Sequence, residues 1–548
     1  MDDRTKYVPA HDGPYVLPRS PFFSRLLRFA HNRPPRLAVR DDIAHAEATY
    51  LQLLTDVLAL RNRLRHDLRT STQKILAGGE PVYIAILAAG GYEYAVAMLA
   101  VLAFGGACVP MTVALPPKEA LYYARKSRSI AVLASSSAMS QGVELEKLIK
   151  AGIPRARSVV CQSRLPPSPR YLDENAPGVV IFTSGTTGPP KGSVMPRAFV
   201  HDFALSVADH YHISESDVLL HLLPVHHATG VGMMFFPLLV AGACIEFRSG
   251  SFDPGWTWER WRREHTLEGG KDTAEYVAAA RQFRASWCGT SALPKPIADF
   301  WQGVMGKKIL LRYGATEFGA VFKVRMDDDH VPEGSVGEVP AGIDIKLSEG
   351  DEGEVLIRSP YMFSKLYMYD DEATRKAHDE EGYYRSGDIA RREGNYYWIL
   401  GRASVDIIKS GGYKISALDI EREILGLPYI SEVTVVGVPD EEFGQRVAAA
   451  VVLRSNVLPP THDGRDHRLQ PVTSSLDIEK LREDLSDRLA RYKMPTLLTI
   501  LEGEIPKTAT GKVSKKLLGP QLFPPDHGSL GTVQKWHPAG GRKSRARL

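Results

Sequence analysis

The chain has 548 residues, 44% of them hydrophobic and 24% charged, which is ordinary for a folded water-soluble protein. The 68 Lys and Arg residues nearly balance the 64 Asp and Glu residues, so a formal net charge of +4 gives no reason to expect nucleic acid as a partner. The four cysteines (Cys108, Cys161, Cys244 and Cys288) are scattered, with no C-x-x-C pair, which argues against a disulfide framework or zinc site and favours a reducing compartment.

The first 15 residues lack the basic-then-apolar order of a secretion signal. The first long apolar run, residues 94–111, is near the length of roughly 18 residues at which a membrane span becomes plausible. Because Gly105 and Gly106 interrupt this run, we expect a helix followed by a short buried strand, and no membrane span.

From about residue 81 to residue 320, short apolar runs such as VYIAIL and GVVIFTS alternate with helix-like segments. Continuous apolar runs between helices are typical of parallel strands buried on both faces. We therefore expect an α/β fold, with a large N-terminal domain of mostly parallel sheets flanked by helices over residues 1–401. Within it, the alternation and turn residues after position 354 predict shorter antiparallel strands.

After Asp406 the pattern predicts a helix (417–425), two strands (431–439 and 446–453) and a helix (475–492). This is a small mobile α+β domain over residues 402–519, with a polar surface loop at 455–474. Residues 520–548 are expected to form a flexible basic tail. Its last three residues, Ala546, Arg547 and Leu548, resemble an S-K-L type address, which predicts a peroxisomal import receptor as partner, the cytoplasm being the alternative location.

The segment TSGTTGPPKG, residues 183–192, directly follows the strand-like residues 179–182. Glycines let backbone N–H groups converge on an anion, while hydroxyls and a lysine add donors and charge. The pattern predicts a phosphate-binding loop, the alternative being a solvated polar turn. It is no Walker A motif, because Pro190 stands where the second glycine should be. The candidate phosphate ligands are Thr183, Ser184, Gly185, Thr186, Thr187, Gly188 and Lys191.

Five further motifs follow in order: GTSA (289–292), RYGATEFG (312–319), YYRSGD (383–388), GRASVDIIKSGGYKIS (401–416) and PKTATGKVSKK (506–516). Together with the phosphate loop, they resemble the acyl-adenylate-forming superfamily of acyl-CoA synthetases, peptide-synthetase adenylation domains and luciferases. The resemblance covers about residues 20–518, and VDIIKSGGYKISALDIE is most similar to the malonyl-CoA synthetase branch.

This resemblance implies an ATP-dependent acid–CoA ligase with ATP, Mg²⁺ and coenzyme A as cofactors. A carboxylic acid attacks the α-phosphate of ATP to give an acyl-adenylate and pyrophosphate, and CoA then displaces AMP. The implied acid is short or dicarboxylic, such as malonate. Two alternatives are a biosynthetic adenylation enzyme that loads a carrier protein and a degenerate homologue that binds nucleotide without turnover.

The resemblance also implies roles around the adenine and the α-phosphate. Tyr313 would stack on adenine beside Gly314, Thr316 would touch the α-phosphate, and Glu317 would hold Mg²⁺, a hard cation that prefers carboxylate oxygen. Gly289, Thr290 and Ser291 would line the adenine pocket.

Further roles concern the ribose, the hinge and CoA. Asp388 would accept hydrogen bonds from both ribose hydroxyls, with Arg402 as its cationic partner. Asp406 would be the hinge of the small domain. Lys512 would bridge the substrate carboxylate and the α-phosphate. The residues implied to face CoA are Gly411, Gly412 and Lys414.

The acid-binding region departs from the family pattern in two places. In PVHHATG, residues 224–230, His227 matches the first histidine of the malonyl-CoA synthetase pattern, but Thr229 replaces the second. Between residues 256 and 289 we find neither the family's buried strand nor its V-P-T-x-Y segment. The sequence therefore predicts a reshaped or incomplete acid pocket, in which the cations available as substitutes are Arg260, Arg262, Arg263 and Arg281.

Overall fold

The computed structural model describes residues 16–68, 70–152, 172–183, 189–248, 253–264, 273–289, 293–359, 366–454, 476–507, 513–526 and 531–537. The predicted surface loop 455–474 and the terminal address 546–548 lie outside these ranges.

Helices and strands alternate over the first half of the chain. The elements are α1 (Pro21–Ala30), β1 (Leu37–Asp41), β2 (Ala46–Thr49), α2 (Tyr50–Asp67), α3 (Thr70–Ala77), β3 (Tyr83–Leu87), α4 (Tyr92–Phe104), β4 (Ala107–Met111), α5 (Pro117–Lys126), β5 (Ala131–Ala134), α6 (Met139–Gly152), β6 (Pro177–Thr183), β7 (Lys191–Pro196), α7 (Ala204–His210), β8 (Val218–His221), α8 (Phe236–Ala241) and β9 (Cys244–Phe247).

Strands dominate the second half. The elements are α9 (Pro254–Glu264), α10 (Thr273–Arg281), β10 (Trp287–Cys288), α11 (Lys295–Met305), β11 (Leu310–Ala315), β12 (Gly319–Lys323), β13 (Asp344–Glu349), β14 (Glu352–Arg358), β15 (Leu366–Tyr367), α12 (Asp371–Lys376), β16 (Tyr384–Glu393), β17 (Tyr396–Arg402), β18 (Ile407–Ser410), β19 (Tyr413–Ser416), α13 (Ala417–Leu425), β20 (Ile430–Asp440), β21 (Gly444–Leu453), α14 (Ile478–Asp484), β22 (Leu497–Leu501), α15 (Lys515–Leu522) and β23 (Val533–Lys535).

The α/β prediction is confirmed by a six-stranded sheet in the order β15-β7-β6-β4-β3-β5. Strands β6, β4, β3 and β5 are parallel, whereas β7 and β15 add antiparallel edges. Every residue of β3 and β4 is buried, as continuous apolar runs predict. The run at 94–111 divides as expected, because Gly105 ends α4 at a φ of +93° and β4 follows. Among the described residues, no helix has both the length and the apolar character to cross a membrane.

The antiparallel strands predicted after residue 354 form a four-stranded sheet, β13-β14-β16-β17. Its register places Asp388 of β16 opposite Arg402 of β17. A separate antiparallel pair, β11 and β12, places Arg312 opposite Lys323, with an irregularity between Tyr313 and Gly314. Side chains directly opposite each other in such a pair lie on the same face of the sheet.

The residues after Asp406 pack around a core of their own, which includes Ile408, Ile420, Val435, Val451 and Leu498. Strands β18 and β19 form a hairpin, and β20, β21, β22 and β23 complete one sheet. The predicted helix 475–492 is shorter than expected, since α14 ends at Asp484.

The prediction of a flexible tail from residue 520 is wrong for part of that segment. Helix α15 continues to Leu522, and the next residue, Phe523, is buried. Strand β23 pairs with β22, and the Trp536 ring lies 3.8 Å from the Arg482 guanidinium. Apolar residues within a mostly polar segment explain the difference, because burying them stabilises the docked chain.

Candidate active site

One cavity of about 1550 Å³ gathers most of the described candidate residues. Its walls come from the ends of β6, β7, β11, β16 and β17, and from the segment between β8 and α8. The candidates that line it are Thr183, Lys191, His227, Tyr313, Gly314, Thr316, Glu317, Asp388, Arg402 and Asp406. Residues far apart in sequence therefore share one space, as an enzyme with two substrates in contact requires.

The Asp388 carboxylate is held between two donors. Its Oδ2 accepts a hydrogen bond from the Tyr313 hydroxyl at 2.7 Å, and its Oδ1 accepts one from Arg402 Nε at 2.8 Å. Asp388 is buried, and the ion pair with Asp388 raises the pKa of Arg402. The carboxylate is thus fixed in orientation before any ligand binds.

The Tyr313 ring packs against Phe322, with centroids 5.6 Å apart and planes 26° apart. Phe322 stacks in turn on Tyr397 at 4.2 Å. Burial, reinforced by Asp388, raises the pKa of Tyr313 well above its usual value, so its hydroxyl stays a donor. Gly314 follows in the irregular part of the strand, where a Cβ would lie only 2.0 Å from the Gly319 carbonyl oxygen. No larger residue fits there.

Glu317 and Lys191 meet at one tyrosine. The Tyr367 hydroxyl donates to Glu317 Oε1 at 2.9 Å, and Lys191 Nζ lies 4.9 Å from the centre of the Tyr367 ring. Thr183 and Lys191 are opposite each other in the β6–β7 pair, so the two ends of the phosphate loop meet here. Both a carboxylate and a cation therefore face the mouth of that loop.

Glu317 also suits the predicted metal. Among the described residues, no group of three or more His, Cys, Asp or Glu side chains could hold a metal ion by itself. Mg²⁺ is commonly bound by one or two carboxylates together with substrate phosphates. The single carboxylate of Glu317, beside Thr316 and the phosphate loop, fits that mode of binding.

The predicted hinge residue, Asp406, is tied to both sides of the molecule. Its Oδ2 accepts from the Arg402 backbone N–H at 2.9 Å, and its Oδ1 accepts from Lys515 Nζ at 2.6 Å. Lys515 also pairs with Glu421 at 2.8 Å. All three charged side chains are largely buried, and the two carboxylates raise the pKa of Lys515 against the effect of burial. The hinge is therefore anchored to α13 and α15 in this conformation.

The residues predicted to face CoA lie elsewhere. Gly411 and Gly412 form the turn of the β18–β19 hairpin with φ values of +56° and +85°, which glycine adopts without strain. Lys414 is exposed and pairs with Glu349 at 3.3 Å. None of these three residues is among those that line the cavity.

Several candidates lie outside the described residues. These are Ser184, Gly185, Thr186, Thr187, Gly188, Thr290, Ser291 and Lys512. Gly289 is described, and a Cβ there would lie 2.9 Å from Cγ of Arg312, so the glycine allows close packing on β11. Val513, at the other end of the undescribed segment 508–512, lines the cavity.

Thr229, which replaces the family's second histidine, is the partner of His227. His227 Nδ1 lies 2.7 Å from the Thr229 hydroxyl and 3.4 Å from the Thr229 backbone nitrogen. Because a backbone N–H can only donate, Nδ1 acts as the acceptor for both groups, which places the ring proton on Nε2. Thr229 also begins a π-helical segment, Thr229–Phe235.

Two neighbouring histidines are held neutral. Burial lowers the pKa of His221 to about 4, and its Nε2 lies 3.0 Å from the Gly230 carbonyl oxygen. Burial and the nearby His227 lower the pKa of His226 to about 4. Both residues line the cavity, so this wall carries polar rings without charge at neutral pH.

Three of the four substitute cations proposed from sequence are not among the described residues that line the cavity. Arg260 pairs with the buried Glu246, Arg262 pairs with Glu259 on its own helix, and Arg281 donates to the Val304 carbonyl oxygen. These contacts hold each guanidinium against the protein surface or its core. The structure does not describe the side chain of Arg263.

Arg248, which the sequence reasoning missed, does line the cavity. Its guanidinium lies 5.3 Å from the Trp256 ring centre, and one nitrogen lies 3.4 Å from Asp253 Oδ2. Arg248 directly follows strand β9, which runs parallel to β8 and β1. Its position directly after a parallel strand could have identified Arg248 from the sequence, because ligands bind beyond the carboxyl ends of parallel strands.

The region without the V-P-T-x-Y segment contains helices α9 and α10 and the two-residue strand β10. This strand is half-buried and pairs in parallel with β11. The sequence reasoning found no strand here, because two residues are too few to show a periodic pattern.

Two family models match the chain. One, described as "AMP-binding enzyme", matches residues 26–367, and a second, "AMP-binding enzyme C-terminal domain", matches residues 419–512. The first alone covers more than half of the chain. The protein belongs to the AMP-binding enzyme family. It is an AMP-forming acid–CoA ligase, a family whose members use ATP and CoA and usually Mg²⁺.

Relatives and solved structures agree with this assignment. A CoA ligase of Gibberella moniliformis is 30% identical over 93% of this chain and 95% of its own length. A malonate–CoA ligase of Arabidopsis thaliana is 30% identical over 90% of this chain and 87% of its own length. ATP-bound MatB from Rhodopseudomonas palustris has the same fold, with a TM-score of 0.74 at 23% identity over 92% of this chain and 99% of that structure.

Proposed function

We propose that this ligase activates a short dicarboxylic acid, with malonate as the best candidate. The observation that carries the proposal is the position of Arg248: it lines the same cavity as Asp388, Glu317 and Lys191. A cation inside that cavity would recognise a carboxylate that does not react. The named function of the malonate–CoA ligase relatives supports the same substrate.

In the first half-reaction, one carboxylate oxygen of the acid attacks the α-phosphorus of ATP, and pyrophosphate leaves with the bonding electrons. Asp388 would hold the ribose hydroxyls, and Lys191 with the phosphate-loop hydroxyls would hold the phosphates. Lys512 would bridge the attacking carboxylate and the α-phosphate. Mg²⁺, when bound through Glu317, supplies a Lewis acid that neutralises phosphate charge.

The acid would lie between His227 and Arg248. The His227 ring is oriented by Thr229, which places its proton on Nε2. Arg248 is braced by stacking on Trp256, which restricts its rotamers and favours a fixed position for a carboxylate. His221 and His226, which also line the cavity, are neutral and add polar rings without charge.

In the second half-reaction, the CoA thiolate attacks the acyl carbon and AMP leaves. Gly411, Gly412 and Lys414 lie outside the cavity in this conformation, whereas Asp406 lines it. We therefore propose that rotation about Asp406 brings the β18–β19 hairpin to the cavity for this step. The Asp406–Lys515–Glu421 ion pairs would stabilise the conformation that precedes it.

The test is AMP and acyl-CoA formation with malonate, succinate, acetate, butyrate and benzoate at saturating ATP, Mg²⁺ and CoA. We expect malonate to give the highest kcat/KM. In Arg248→Met, we expect kcat/KM for malonate to fall by about 10²-fold, since a charge-assisted bidentate contact is lost, with little change for acetate.

Arg281→Met is the matched control, because Arg281 lies in the neighbouring helix and outside the cavity lining. A monocarboxylic acid preferred over malonate, or an equal loss for malonate and acetate in Arg248→Met, would refute the proposed substrate. No AMP formation with any acid, together with measurable ATP binding, would favour the degenerate homologue.

A further inference from the structure

Around Arg312, which lines the cavity next to Tyr313, donor groups cluster without acceptors in the described ranges. Lys323 Nζ, Arg312 Nε, Trp287 Nε1 and the Tyr211 hydroxyl are all buried, and none of these four atoms has a hydrogen bond of good geometry in the part of the chain that the structure describes, although the Arg312 guanidinium lies near the Tyr211 oxygen. Lys323 is fully buried, Tyr211 is 1% exposed and Arg312 is 7% exposed. Buried polar groups in folded proteins are nearly always paired, so four unpaired donors in one place indicate a missing acceptor.

Three independent contacts place these groups together. Arg312 and Lys323 are directly opposite in the β11–β12 pair, so their side chains leave the same face of the sheet. The rings of Tyr211 and Trp287 are 5.2 Å apart. Trp287 and Leu310 are register partners in β10 and β11, two residues before Arg312.

The neighbouring titratable groups supply no negative charge. Burial raises the pKa of Tyr211 to about 12 and raises that of the Cys288 thiol, so both are neutral. Burial and Lys323 lower the pKa of His210 to about 4, so this ring is neutral too. Within the described ranges, neither Arg312 nor Lys323 forms an ion pair with a carboxylate.

Two unpaired cations opposite each other in the interior are unfavourable by desolvation and by mutual repulsion. Burial and Arg312 lower the pKa of Lys323 to about 7, the direction expected from that cost. A bound anion would remove both penalties and would accept from all four donors.

We propose that Lys323, Arg312, Tyr211 and Trp287 form a buried binding site for one small anion, behind the part of the cavity wall that Arg312 lines. The occupant is a small inorganic anion such as chloride or phosphate. The other source of the same chemistry is a carboxylate of the bound acid, which could approach along Arg312, because this residue also lines the cavity. That second source rests on the proposed function, whereas the inorganic anion does not.

The first experiment measures the Tm of the full chain at pH 7 during titration with sodium chloride, phosphate, malonate or acetate. Ionic strength is held constant with sodium isethionate, whose anion is too bulky for the site. We expect chloride or phosphate to raise the Tm of the wild type by about 2–4 °C through ligand linkage. Lys323→Met, which keeps the volume and removes the charge, should abolish this rise, whereas the exposed Lys147→Met should keep it.

The second experiment is a crystal of the wild-type protein grown with sodium bromide, examined for anomalous scattering. A bromide peak at hydrogen-bond distance from Lys323 Nζ supports the site directly, and it decides the question if Lys323→Met does not fold. Stabilisation by malonate alone, lost in Lys323→Met, would assign the site to the substrate carboxylate.

Equal Tm responses of wild type and Lys323→Met to every anion, with no bromide peak, would overturn the proposal. None of these readouts uses acyl-CoA formation. The proposal of an anion site can therefore be refuted without refuting the proposal of malonate activation, and the converse also holds.

Discussion

The residues proposed to bind the nucleotide and the buried cluster around Arg312 differ in how their polar groups are satisfied. In the first group, Asp388 is bonded to Tyr313 and Arg402, and Glu317 is bonded to Tyr367. In the cluster, Arg312 and Lys323 have no counter-charge in the described ranges, although both are buried.

This difference fits the proposed roles of the two regions. ATP is the same for every member of the family, so the groups that bind it can be oriented in advance by protein partners, which costs nothing at the moment of reaction. Arg312 and Lys323 would instead take their acceptor from a bound anion, as proposed above.

The comparison is tested most strongly on the nucleotide side by Asp388→Asn. An amide leaves Arg402 without its charge partner and offers one acceptor where Tyr313 and Arg402 need two. We expect kcat/KM for ATP in ATP–pyrophosphate exchange to fall by about 10²-fold or more.

Asp351→Asn is the matched control, because Asp351 is an exposed carboxylate that also pairs with an arginine, Arg392, at 2.6 Å. Exposed ion pairs contribute little, so this variant should keep full activity. Comparable losses in both variants would contradict the assigned role of Asp388.

The cavity wall that contains His221 and His226 is tested by the pH dependence of protein stability. His221 and His226 have pKa values lowered to about 4, whereas the ordinary value is 6.5. Between these limits the unfolded chain takes up protons that the folded chain does not, so stability is lost as the pH falls from 6.5 towards 4. Each histidine accounts for about 1.4 kcal/mol per pH unit.

In urea unfolding at pH 6.5, 6.0, 5.5 and 5.0, His226→Gln should therefore lose free energy of unfolding less steeply than the wild type. The exposed His330→Gln should match the wild type. A wild-type slope in the His226→Gln variant would show that this ring is not held neutral by the fold.

The smallest effect is expected at the family departure itself. Thr229→Ala removes the hydroxyl that orients His227, a hydrogen bond contributing about 1 kcal/mol. We expect about a five-fold rise in KM for malonate with little change in kcat, measured as AMP formation at saturating ATP and CoA.

Thr229→Ser keeps the hydroxyl and should restore most of the wild-type KM. If Thr229→Ser is as impaired as Thr229→Ala, the methyl group and not the hydroxyl supports the site, and the interpretation of His227 as an oriented donor fails.

Much of this molecule could be predicted from local pattern. Buried apolar runs identified β3, β4 and β6, and Gly105 marked the end of α4, because backbone conformation and burial periodicity are encoded within a few residues. Tyr313, Asp388 and Arg402, which belong to three separate motifs, lie in direct contact.

Local pattern was insufficient for β10 and β23. The first has two residues and the second has three, so neither shows a period. Both exist because a neighbouring strand, β11 or β22, offers free backbone groups for pairing.

By itself, therefore, the sequence determined the family and the α/β architecture and proposed the nucleotide-side residues, since these depend on motifs and apolar runs that are local in the chain. Only the tertiary structure decided that Arg248 lines the cavity, whereas Arg260, Arg262 and Arg281 do not. It also decided that Lys323 lies opposite Arg312. Both outcomes depend on where separate strands end and on their register, which is set by packing between residues distant in sequence.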